Sequence, residues 1–529
     1  MDGLAWQTTI TEIDSKTSLS PPYKTAAMTD ILFGQSYFLR FDAKMWQMGQ
    51  PYPPLGTLYA ASALRERGYD VALFDATLAP SEEAWAEALD RHQARYAILY
   101  EDQFNYFSKM CLLRMREAAF TMIRIAKAQG CEVIVSGSDA TDHAPEYHRA
   151  GADYVIVGEG EETLADLMDR LAGQSQTPVE TLPGLALPGP EGGEARTPAR
   201  SLVRDLDQFP FPAWDLVDMA QYRHFWRERH GYFSLNMVTT RGCPYRCNWC
   251  AKPVYGQRYS VRSPESVAEE LALLKREYQP DHIWFGDDIF GLKPGWIGRF
   301  ADRVREQDAV IPFKCQMRAD LMDAETVAAL KAAGCRTVWM GAESGSQQVL
   351  DRMDKDLRVE QIHEAAQRLR SAGIEVCFFL QFGYPGEAWE DIRATLRMVR
   401  ACRPDDIGIS VSYPLPGTEF YERVQTGLGE KRNWNDSGDL AMLYRGTYAP
   451  DFYRQLHTTV HRMFRAQKAF TPHTSRLTPH TFFSRIASGA FHAAVLPFSW
   501  ARLMWLRRKA NRPTFESQEN AKWRMQNGE

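Results

Sequence analysis

"MREAAFTMIRIAKAQGCEVIVSGS", residues 115–138, joins a helical pattern to a short apolar run across a single glycine. Apolar residues in the first part recur at helical spacing, and Gly130 falls where that pattern ends. The second part, "EVIVSGS" (132–138), is rich in strand-forming residues and is followed by turn-forming ones. The stretch therefore predicts a helix that leads directly into a buried strand.

The same alternation of strand and helix fills the first third of the chain. Further β-rich runs occupy residues 31–35, 70–76, 95–100 and 153–161, and further helical patterns occupy residues 55–68 and 81–93. Strands that alternate with helices of this length form a doubly wound, Rossmann-like parallel sheet. Ligands bind beyond the carboxyl ends of the strands in such sheets, so we expect the functional loops of this domain there.

A second α/β series begins near residue 231 and runs to about residue 425. Its β-rich runs occupy residues 233–240, 282–288, 312–318, 337–343, 375–383 and 406–415, with helical patterns such as 263–278 and 323–334 between them. Six repeats of strand then helix predict a partial (β/α)6 barrel of the TIM type. Functional residues of such barrels lie at the carboxyl ends of the strands.

The remaining segments complete the predicted domain organisation. Residues 173–230 open with a stretch rich in proline and glycine and lack sustained periodicity, which predicts a linker with room for a small hairpin. The expected division is an amino-terminal extension (1–29), a Rossmann-like domain (30–172), the linker (173–230), the partial barrel (231–425) and a mainly helical, basic carboxyl-terminal region (426–529).

Bulk properties describe an ordinary soluble protein. The chain has 529 residues, of which 44% are hydrophobic and 24% charged, as expected for two or three domains. A net charge of -5 gives no argument for nucleic acid as a partner. The first 30 residues lack the basic start and apolar core of a signal peptide, and no apolar run is long enough to span a bilayer. Together with an odd number of cysteines, nine, this predicts a reducing, cytoplasmic location.

The stretch "TTRGCPYRCNWC" (239–250) carries three cysteines, Cys243, Cys247 and Cys250. A structural zinc site would require a fourth ligand, but the next cysteine is Cys315 and the nearest following histidine is His282. A cubane iron-sulfur cluster with three thiolate ligands keeps one iron with an open position. Packing of reduced cysteines in the core is the alternative, and the polar, turn-rich character of the loop argues against it.

With Trp249 as the aromatic residue, the motif C-x3-C-x-aromatic-C resembles the signature of radical S-adenosylmethionine enzymes. The resemblance implies that the three thiolates hold a [4Fe-4S] cluster whose open iron binds the methionyl part of S-adenosyl-L-methionine. Electron transfer then cleaves the sulfonium and gives a 5'-deoxyadenosyl radical, which abstracts hydrogen from substrate. An electron donor such as flavodoxin or ferredoxin is implied as a partner.

The resemblance also assigns residues at the barrel strand ends to S-adenosylmethionine. Asp287 and Asp288 are expected near its amino group, Arg318 near its carboxylate, Glu343 near the ribose or the amino group, and Trp249 with the "GYPGE" backbone, including Gly383 and Pro385, near adenine. The alternative for each charged residue is an exposed ion pair, which is common and contributes little stability.

Two further stretches, "PYPPLGTLYAASALRERGYDVALFDA" (51–76) and "VIVGEGEETL" (155–164), resemble the cobalamin-binding domain that precedes the radical domain in one subclass. The residues implied in cobalamin binding are Pro53, Pro54, Leu55, Gly56, Ser136, Gly137, Ser138, Gly158, Glu159 and Gly160. Taken singly, the prolines are explained as a helix start and the glycines as a tight turn. The two stretches in order, upstream of the cysteine motif, favour cobalamin.

One feature of many cobalamin domains is missing, because the chain has no D-x-H-x-x-G motif that would supply a histidine ligand to cobalt. His143 directly follows Asp142, and we expect it to be an exposed residue at a helix start. The resemblance therefore favours cobalamin bound without a histidine below the metal.

The carboxyl-terminal region is strongly basic. No acidic residue occurs between Asp451 and Glu516, whereas 11 arginines and lysines do. Within it, "AFHAAVLPFSWARLMWLRRKANR" (490–512) combines an apolar stretch that contains tryptophan with a basic end. This pattern is typical of helices that lie on a membrane surface. A helix packed on the barrel with a solvated basic face is an equal alternative, and nucleic acid is disfavoured for want of a known binding motif.

The resemblance covers roughly residues 30 to 425 and leaves three functions open. Methyl transfer to an unactivated carbon of a small molecule or lipid is favoured, and anaerobic oxidative cyclisation of a porphyrin-type substrate is the main alternative. A non-catalytic iron-sulfur sensor is disfavoured, because a sensor needs no S-adenosylmethionine contacts. The other six cysteines form no second cluster motif and are expected in the core, with Cys315 and Cys377 on strands that line the barrel.

Overall fold

The computed structural model describes residues 29–250, 254–469 and 479–510. The predicted amino-terminal extension, apart from residue 29, and the end of the basic region beyond residue 510 lie outside these residues. For residues 479–485 and 510 only the helical backbone is described.

The first half of the chain forms the predicted doubly wound sheet. Its seven strands are β1 (Ile31–Gly34), β2 (Val71–Leu73), β3 (Tyr96–Tyr100), β4 (Glu132–Ser136), β5 (Tyr154–Ile156), β6 (Leu185–Pro188) and β7 (Glu194–Arg196), in the order β2-β1-β3-β4-β5-β6-β7. The helices around it are α1 (Ala43–Met48), α2 (Leu55–Glu66), α3 (Glu83–His92), α4 (Tyr106–Lys109), α5 (Leu113–Ala128), α6 (Ser138–Asp142), α7 (Ala144–Ala150) and α8 (Glu161–Leu171). The five strands from β1 to β5 pair in parallel.

The linker does contain a small hairpin, and this hairpin extends the first sheet. Strand β6 pairs antiparallel with β5, with Val155 opposite Ala186, and β7 pairs antiparallel with β6. Leu185 and Ala186 are buried, so the hairpin covers an edge of the parallel sheet that would otherwise expose unpaired backbone groups. The first sheet thus continues past residue 172, where the Rossmann-like domain was expected to end. The domain boundaries themselves stay a prediction.

The second half forms the predicted partial barrel. Its six parallel strands are β8 (Ser234–Met237), β11 (His282–Phe285), β12 (Phe313–Met317), β13 (Cys335–Glu343), β14 (Glu375–Phe382) and β15 (Asp406–Val411), in the order β15-β14-β13-β12-β11-β8. A short antiparallel pair, β9 (Thr240–Arg241) and β10 (Ser260–Val261), which the sequence did not predict, brackets the cysteine motif.

Helices connect the barrel strands and complete the carboxyl-terminal region. They are α9 (Met219–His230), α10 (Pro264–Glu277), α11 (Trp296–Glu306), α12 (Ala324–Ala333), α13 (Gln347–Arg352), α14 (Val359–Ser371), α15 (Trp389–Cys402), α16 (Glu419–Val424), α17 (Pro450–Ala469) and α18 (Pro479–Ala510). Residues 428–449 are irregular, so the helical part of the last region starts at α17.

One hydrophobic core continues from the first sheet into the barrel. The rings of Phe104, which follows β3, and Tyr255, which precedes β10, stack with their centroids 5.7 Å apart. The indole of Trp226 on α9 is buried and donates to the carbonyl of Pro51 at 2.7 Å. Burial of each large apolar side chain contributes about 1.5–3 kcal/mol, so the two sheets are fixed against each other.

The last two helices pack on each other and on the edge of the barrel. Trp500 of α18 meets Trp389 of α15 edge to face at 6.2 Å, and Phe452 of α17 lies on the other side of Trp389 at 6.5 Å. Among the described helices, none has both the length and the apolar character required to cross a bilayer.

Candidate active site

The three cysteines lie on a loop, here called the cluster loop (residues 242–250), that leaves β9 at the carboxyl end of the first barrel strand. Gly242 begins it in a left-handed conformation with φ 76°, and a Cβ atom there would collide with the carbonyl oxygen of Arg258. The loop is fixed at its far end because the backbone N–H of Asn248 donates to the carbonyl of Met353 at 3.1 Å. Glycine is therefore required where the loop starts.

Cys247 is buried, whereas Cys243 and Cys250 are half-buried. None of the nine cysteines, all within the described part of the chain, forms a disulfide. Across the described residues, no three His, Cys, Asp or Glu side chains stand in a ready-made metal geometry. The assignment of the three cysteines to an iron-sulfur cluster thus stays a prediction from their spacing.

Two cationic side chains from later in the barrel lie beside the cluster loop. Arg318, directly after β12, places its guanidinium over the ring of Tyr245 at 3.7 Å. Lys355 is buried, and its Nζ lies 2.9 Å from Glu343 Oε1. Burial by itself would lower the pKa of Lys355, but the Glu343 carboxylate and the Cys247 sulfur raise it above its usual value. An iron-sulfur cluster held by thiolates would be anionic, and a protonated lysine beside it would stabilise that charge. The three cysteines together with Lys355 therefore fit such a cluster.

Glu343 stands at the carboxyl end of β13 in an unusual backbone conformation. Its φ is 54°, and the pairing of β13 with β14 shifts register between Gly341 and Glu343. A left-handed conformation is rare for a non-glycine residue and costs free energy, so it persists where the surroundings fix it. The side chain of Glu343 is held by its ion pair with the buried Lys355.

Asp287, after β11, is almost fully buried and has one committed and one uncommitted oxygen. Its Oδ1 accepts from the N–H groups of Thr239 and Thr240 at 2.7 and 2.6 Å and from the Thr240 hydroxyl at 2.8 Å. Oδ2 of Asp287 and the Thr239 hydroxyl are buried and make no close hydrogen bond within the described structure, although the hydroxyl lies near enough to the carboxylate to lower its pKa. Burial raises the pKa of Asp287 to about 6, against the lowering effect of these hydrogen bonds. Buried polar atoms without partners indicate a place for a polar ligand.

Asp288 is engaged elsewhere, because its Oδ1 lies 2.6 Å from Nζ of Lys109 on α4. This ion pair links the first sheet to the barrel. The expectation that Asp287 and Asp288 lie near the amino group of S-adenosylmethionine stays a prediction for both. Arg318 likewise donates to Asp320 and to the carbonyls of Lys355 and Asp356, so it also orders the segment that carries Lys355.

The "GYPGE" turn closes the opposite side of the site. Gly383 has φ 85°, its N–H donates to Glu387 Oε2 at 2.6 Å, and its carbonyl accepts from the hydroxyl of Tyr444. Pro385 is half-buried at the tip of the turn. The indole of Trp249 is half-buried, and its N–H has no hydrogen-bond partner in the described structure. Of these predicted adenine contacts, the Trp249 N–H therefore offers a ligand an unused hydrogen-bond donor.

In the first sheet, the predicted cobalamin residues converge on Gln103, which follows β3. A Cβ at Gly56 would meet the backbone N of Gln103 at 3.0 Å, and one at Gly137 would meet Glu101 Cγ at 3.0 Å. Ser138 donates to Gln103 Oε1 at 3.0 Å, while Gln103 Nε2 is buried without a partner in the described residues. The glycines are thus required for close packing of the segment after β3, and the unused Gln103 donor offers a polar ligand a hydrogen bond.

The start of α2 connects this site to the barrel. Pro53, Pro54 and Leu55 are buried, and the carbonyl of Pro53 accepts from Asn236 Nδ2 on β8 at 3.1 Å. The Gly56 N–H donates to Asp102 Oδ1 at 2.9 Å. Burial raises the pKa of Asp102 to about 6, although its backbone hydrogen bonds favour the charged form.

The loop after β5, here called the cobalamin-side loop (residues 157–161), packs tightly against the sheet. Gly158 has φ 80°, and a Cβ at Gly160 would meet the Tyr100 hydroxyl at 2.7 Å and Ser136 Oγ at 2.9 Å. Ser136 Oγ is itself buried without a partner in the described residues. Glu159 is buried and points to the barrel, where it pairs with Arg241. Its predicted contact with cobalamin stays untested.

His143 begins α7, as predicted, but it is half-buried and not exposed. The reason is tertiary, since its ring contacts the Arg116 guanidinium at 3.3 Å and the carbonyl of Asp139 at 3.1 Å.

Sequence reasoning missed several site residues, namely Gln103, Lys109, Arg241 and Lys355. Lys109 and Arg241 have partners that are 179 and 82 residues away in sequence, and Lys355 lies in a loop outside the recognised motifs. Gln103 had a usable signal, because it follows a predicted strand at its carboxyl end.

Comparison with known proteins agrees with both halves of this site. The Radical SAM superfamily model matches residues 237–399, and the B12 binding domain model matches residues 46–168. An uncharacterized methyltransferase of Pyrococcus horikoshii is 29% identical over 394 residues, which are 73% of this chain and 82% of the relative. An anaerobic magnesium-protoporphyrin IX monomethyl ester cyclase of Rubrivivax gelatinosus is 23% identical over 72% of this chain and 67% of the relative.

Among solved structures, the radical S-adenosylmethionine methyltransferase TsrM of Kitasatospora setae, with cobalamin and a [4Fe-4S] cluster bound, superposes with a TM-score of 0.60. It is 19% identical, and the match covers 75% of this chain and 78% of TsrM, so the likeness concerns the fold. The two family models lie in the same order as the two sheets and include the cluster loop and the cobalamin-side loop. The chain is therefore a radical S-adenosylmethionine enzyme of the family that carries an amino-terminal cobalamin-binding domain, with a [4Fe-4S] cluster, S-adenosylmethionine and cobalamin as its cofactors.

Proposed function

We propose that this enzyme is a cobalamin-dependent methyltransferase that acts on an unactivated carbon of a small molecule or lipid. The observation that carries the proposal is the ion pair between Arg241, the residue just before the cluster loop, and Glu159 of the cobalamin-side loop, beside a hydrophobic core that both halves share. Methyl transfer through cobalamin to a carbon activated by a radical requires both cofactors close to one substrate. An iron-sulfur sensor would need neither the cobalamin-side loop nor the strand-end residues of the barrel.

The chain's own residues have distinct tasks in this proposal. Cys243, Cys247 and Cys250 would hold the cluster, and Lys355 and Arg318 would place positive charge beside it. The uncommitted Oδ2 of Asp287 would accept from the ammonium of S-adenosylmethionine, and the Trp249 N–H and the Gly383 turn would contact adenine. The cofactors, when bound, supply the radical and the methyl carrier.

The first sheet would hold cobalamin at the carboxyl ends of β3, β4 and β5. Gly56 and Gly137 let the segment that carries Glu101 and Gln103 pack closely at these strand ends, and the buried Gln103 Nε2 and Ser136 hydroxyl offer hydrogen-bonding atoms that have no other described partner. The surrounding aromatic and aliphatic side chains of the shared core exclude water from the space between the two sheets.

Product analysis tests the reaction. A methyltransferase of this kind uses one S-adenosylmethionine as methyl donor and cleaves another, so S-adenosylhomocysteine and 5'-deoxyadenosine should form in about equal amounts in a coupled turnover. Slow turnover with dithionite and no substrate, followed by mass spectrometry, already reveals whether methyl groups are transferred. Oxidative cyclisation, the activity in the name of the Rubrivivax relative, would give 5'-deoxyadenosine alone.

Two partners complete the proposal. A flavodoxin or ferredoxin would supply the electron, because the cluster must be reduced in each turnover.

The basic carboxyl-terminal region would contact an anionic membrane surface through α18, whose residues Phe491, Phe498 and Trp505 are 61%, 77% and 56% exposed. They recur every seven residues and so share one helix face, beside the basic side chains of Arg502, Arg508 and Lys509. A lipid-like substrate would then be available at that surface.

A further inference from the structure

A buried ion triad joins the two halves of the protein at the root of the cluster loop. Arg241 ends β9, two residues before Cys243, and reaches across to the cobalamin-side loop and the first residue of α8. Its Nη1 lies 2.5 Å from Glu159 Oε1, and its Nη2 lies 2.8 Å from Glu161 Oε1. The three side chains are only 5%, 5% and 2% exposed, so solvent does not weaken the attraction.

Four aromatic rings enclose the guanidinium. The Cζ of Arg241 lies 4.5 Å from the ring centroid of Phe209, 5.3 Å from Tyr255, 5.6 Å from Tyr59 and 5.7 Å from Phe104. These rings come from the first sheet, the linker and the barrel. A planar guanidinium can stack on rings and bond two carboxylates at once, which a lysine ammonium does less well.

The chain on both sides of the triad has little freedom. Gly242, directly after Arg241, admits no side chain because the Arg258 carbonyl is in the way. The second oxygen of Glu159 accepts from the Val203 N–H at 2.7 Å, and Gly160 is packed against the Tyr100 hydroxyl. A displacement of the cluster loop would therefore have to move the cobalamin-side loop as well.

We propose that Arg241 is a positioning residue that fixes the cluster loop against the cobalamin-side loop through Glu159 and Glu161, and so holds the two cofactors at one separation. The inference rests on the proposed function, in which the cysteines hold the cluster and cobalamin lies beside Gly158 and Gly160. Arg241 itself has no part in the chemistry. Its role is to make the distance between the cofactors reproducible from one molecule to the next.

The test uses the full-length protein, reconstituted anaerobically with iron, sulfide and cobalamin. Arg241→Met alone leaves two buried carboxylates without a cation, which is expected to destabilise the fold. The decisive variant therefore combines Arg241→Met with Glu159→Gln and Glu161→Gln and removes all three charges together. Arg303→Met is the matched control, because Arg303 also lies between two glutamates, at 2.9 and 2.6 Å, but these pairs are exposed.

The readout is the dipolar coupling between the reduced cluster and Co(II), measured by pulsed electron paramagnetic resonance. Wild-type protein and Arg303→Met should give one narrow distribution of separations. The triple variant should keep its iron and cobalamin content but give a distribution at least twice as wide, and Arg241→Lys should fall between. In dithionite turnover, the triple variant should also form several-fold less S-adenosylhomocysteine per 5'-deoxyadenosine.

Two results would overturn the inference. One leaves the proposed function standing, and the other rejects the proposed function as well. A triple variant that binds both cofactors and keeps the narrow distribution of the wild type shows that the triad does not set the separation, while the proposed function stands. Wild-type protein that binds no cluster or no cobalamin rejects the proposed function and the inference with it.

Discussion

Charge and burial around single residues decide the chemistry at the cluster loop. Cys247 is buried beside Lys355, whose pKa the Cys247 sulfur and the Glu343 carboxylate raise. By contrast, burial raises the pKa of Cys315 and of Cys377 well above the usual value. Both cysteines are buried, which agrees with the expectation that they belong to the core.

Replacing any one of Cys243, Cys247 and Cys250 by alanine should remove the cluster. Two thiolates are too few to hold a cubane, so anaerobically reconstituted protein should lose the cluster absorbance and most of its iron. Cys402→Ala is the control, because burial raises the pKa of this cysteine to about 11 and it lies at the end of α15. Full iron content in all three variants would show that the cysteines are not the ligands.

Glu387 should make stability depend on pH. Burial raises its pKa to about 8, so the folded state binds a proton that the unfolded state releases at a pH near 4.5. Between these values the unfolded state binds fewer protons, and the free energy of unfolding should fall as pH rises, by up to about 1.4 kcal/mol per pH unit.

Glu387→Gln should flatten this dependence between pH 5 and 8 relative to wild type, since the amide keeps the bond from the Gly383 N–H without titrating. Denaturant unfolding at several pH values measures it. Glu390→Gln, in the exposed first turn of α15, which begins two residues after Glu387, is the control and should leave the slope unchanged. Equal slopes in wild type and Glu387→Gln would mean that Glu387 is ionised in the folded protein.

Helix α18 shows how one element divides its faces between packing and contact. Ser499 and Leu503 are buried against α17, and the seven-residue repeat of Phe491, Phe498 and Trp505 lies on the exposed side. The helix is packed, as one interpretation of the basic region predicts, and it keeps an exposed apolar and basic face whose contact with a membrane stays a prediction. Exposed aromatic residues in such a row mark an interaction surface.

Vesicle binding should depend on that face. Phe498→Ser with Trp505→Ser should reduce binding to vesicles of phosphatidylserine and phosphatidylcholine at low salt by at least tenfold. Arg508→Gln with Lys509→Gln should reduce it by a comparable factor, because each basic residue near an anionic surface contributes about 1 kcal/mol. Met48→Ser, at an exposed apolar residue elsewhere, is the control. Intact protein that ignores these vesicles at low salt would leave α18 with a packing role alone.

Across the whole molecule, cobalamin should bind without a histidine below the metal. Three histidines precede the linker. Both ring nitrogens of His148 are bonded to carbonyls at 2.8 and 3.0 Å, and the ring of His143 contacts Arg116 and Asp139. His92 lies beside Thr29 at the amino ends of the strands, whereas the predicted cobalamin loops lie at the carboxyl ends. The paramagnetic resonance of the Co(II) form should therefore lack the splitting of an axial nitrogen. Nitrogen splitting, or no binding of cobalamin by the full-length protein, would contradict this prediction.

The sequence by itself determined both α/β sheets and the position of the cluster loop, because each depends on local patterns. The β-rich runs around Val133 and Trp339 alternate with helical patterns, and hydrophobic spacing within ten or fifteen residues is enough to specify them. The spacing of Cys243, Cys247 and Cys250 is equally local. The cobalamin-side loop was identified for the same reason, although contact of its residues with cobalamin stays a prediction.

Only the tertiary structure decided which charged residues pair across the two halves of the chain, while the contacts of the others with cofactors stay predictions. Asp288 pairs with Lys109 and Arg241 pairs with Glu161, across 179 and 80 residues of sequence. Such pairs depend on how the first sheet packs against the barrel, and no short pattern encodes that packing. A buried charge must find a partner wherever the fold brings one, so the partner becomes visible only once the core common to both sheets has formed.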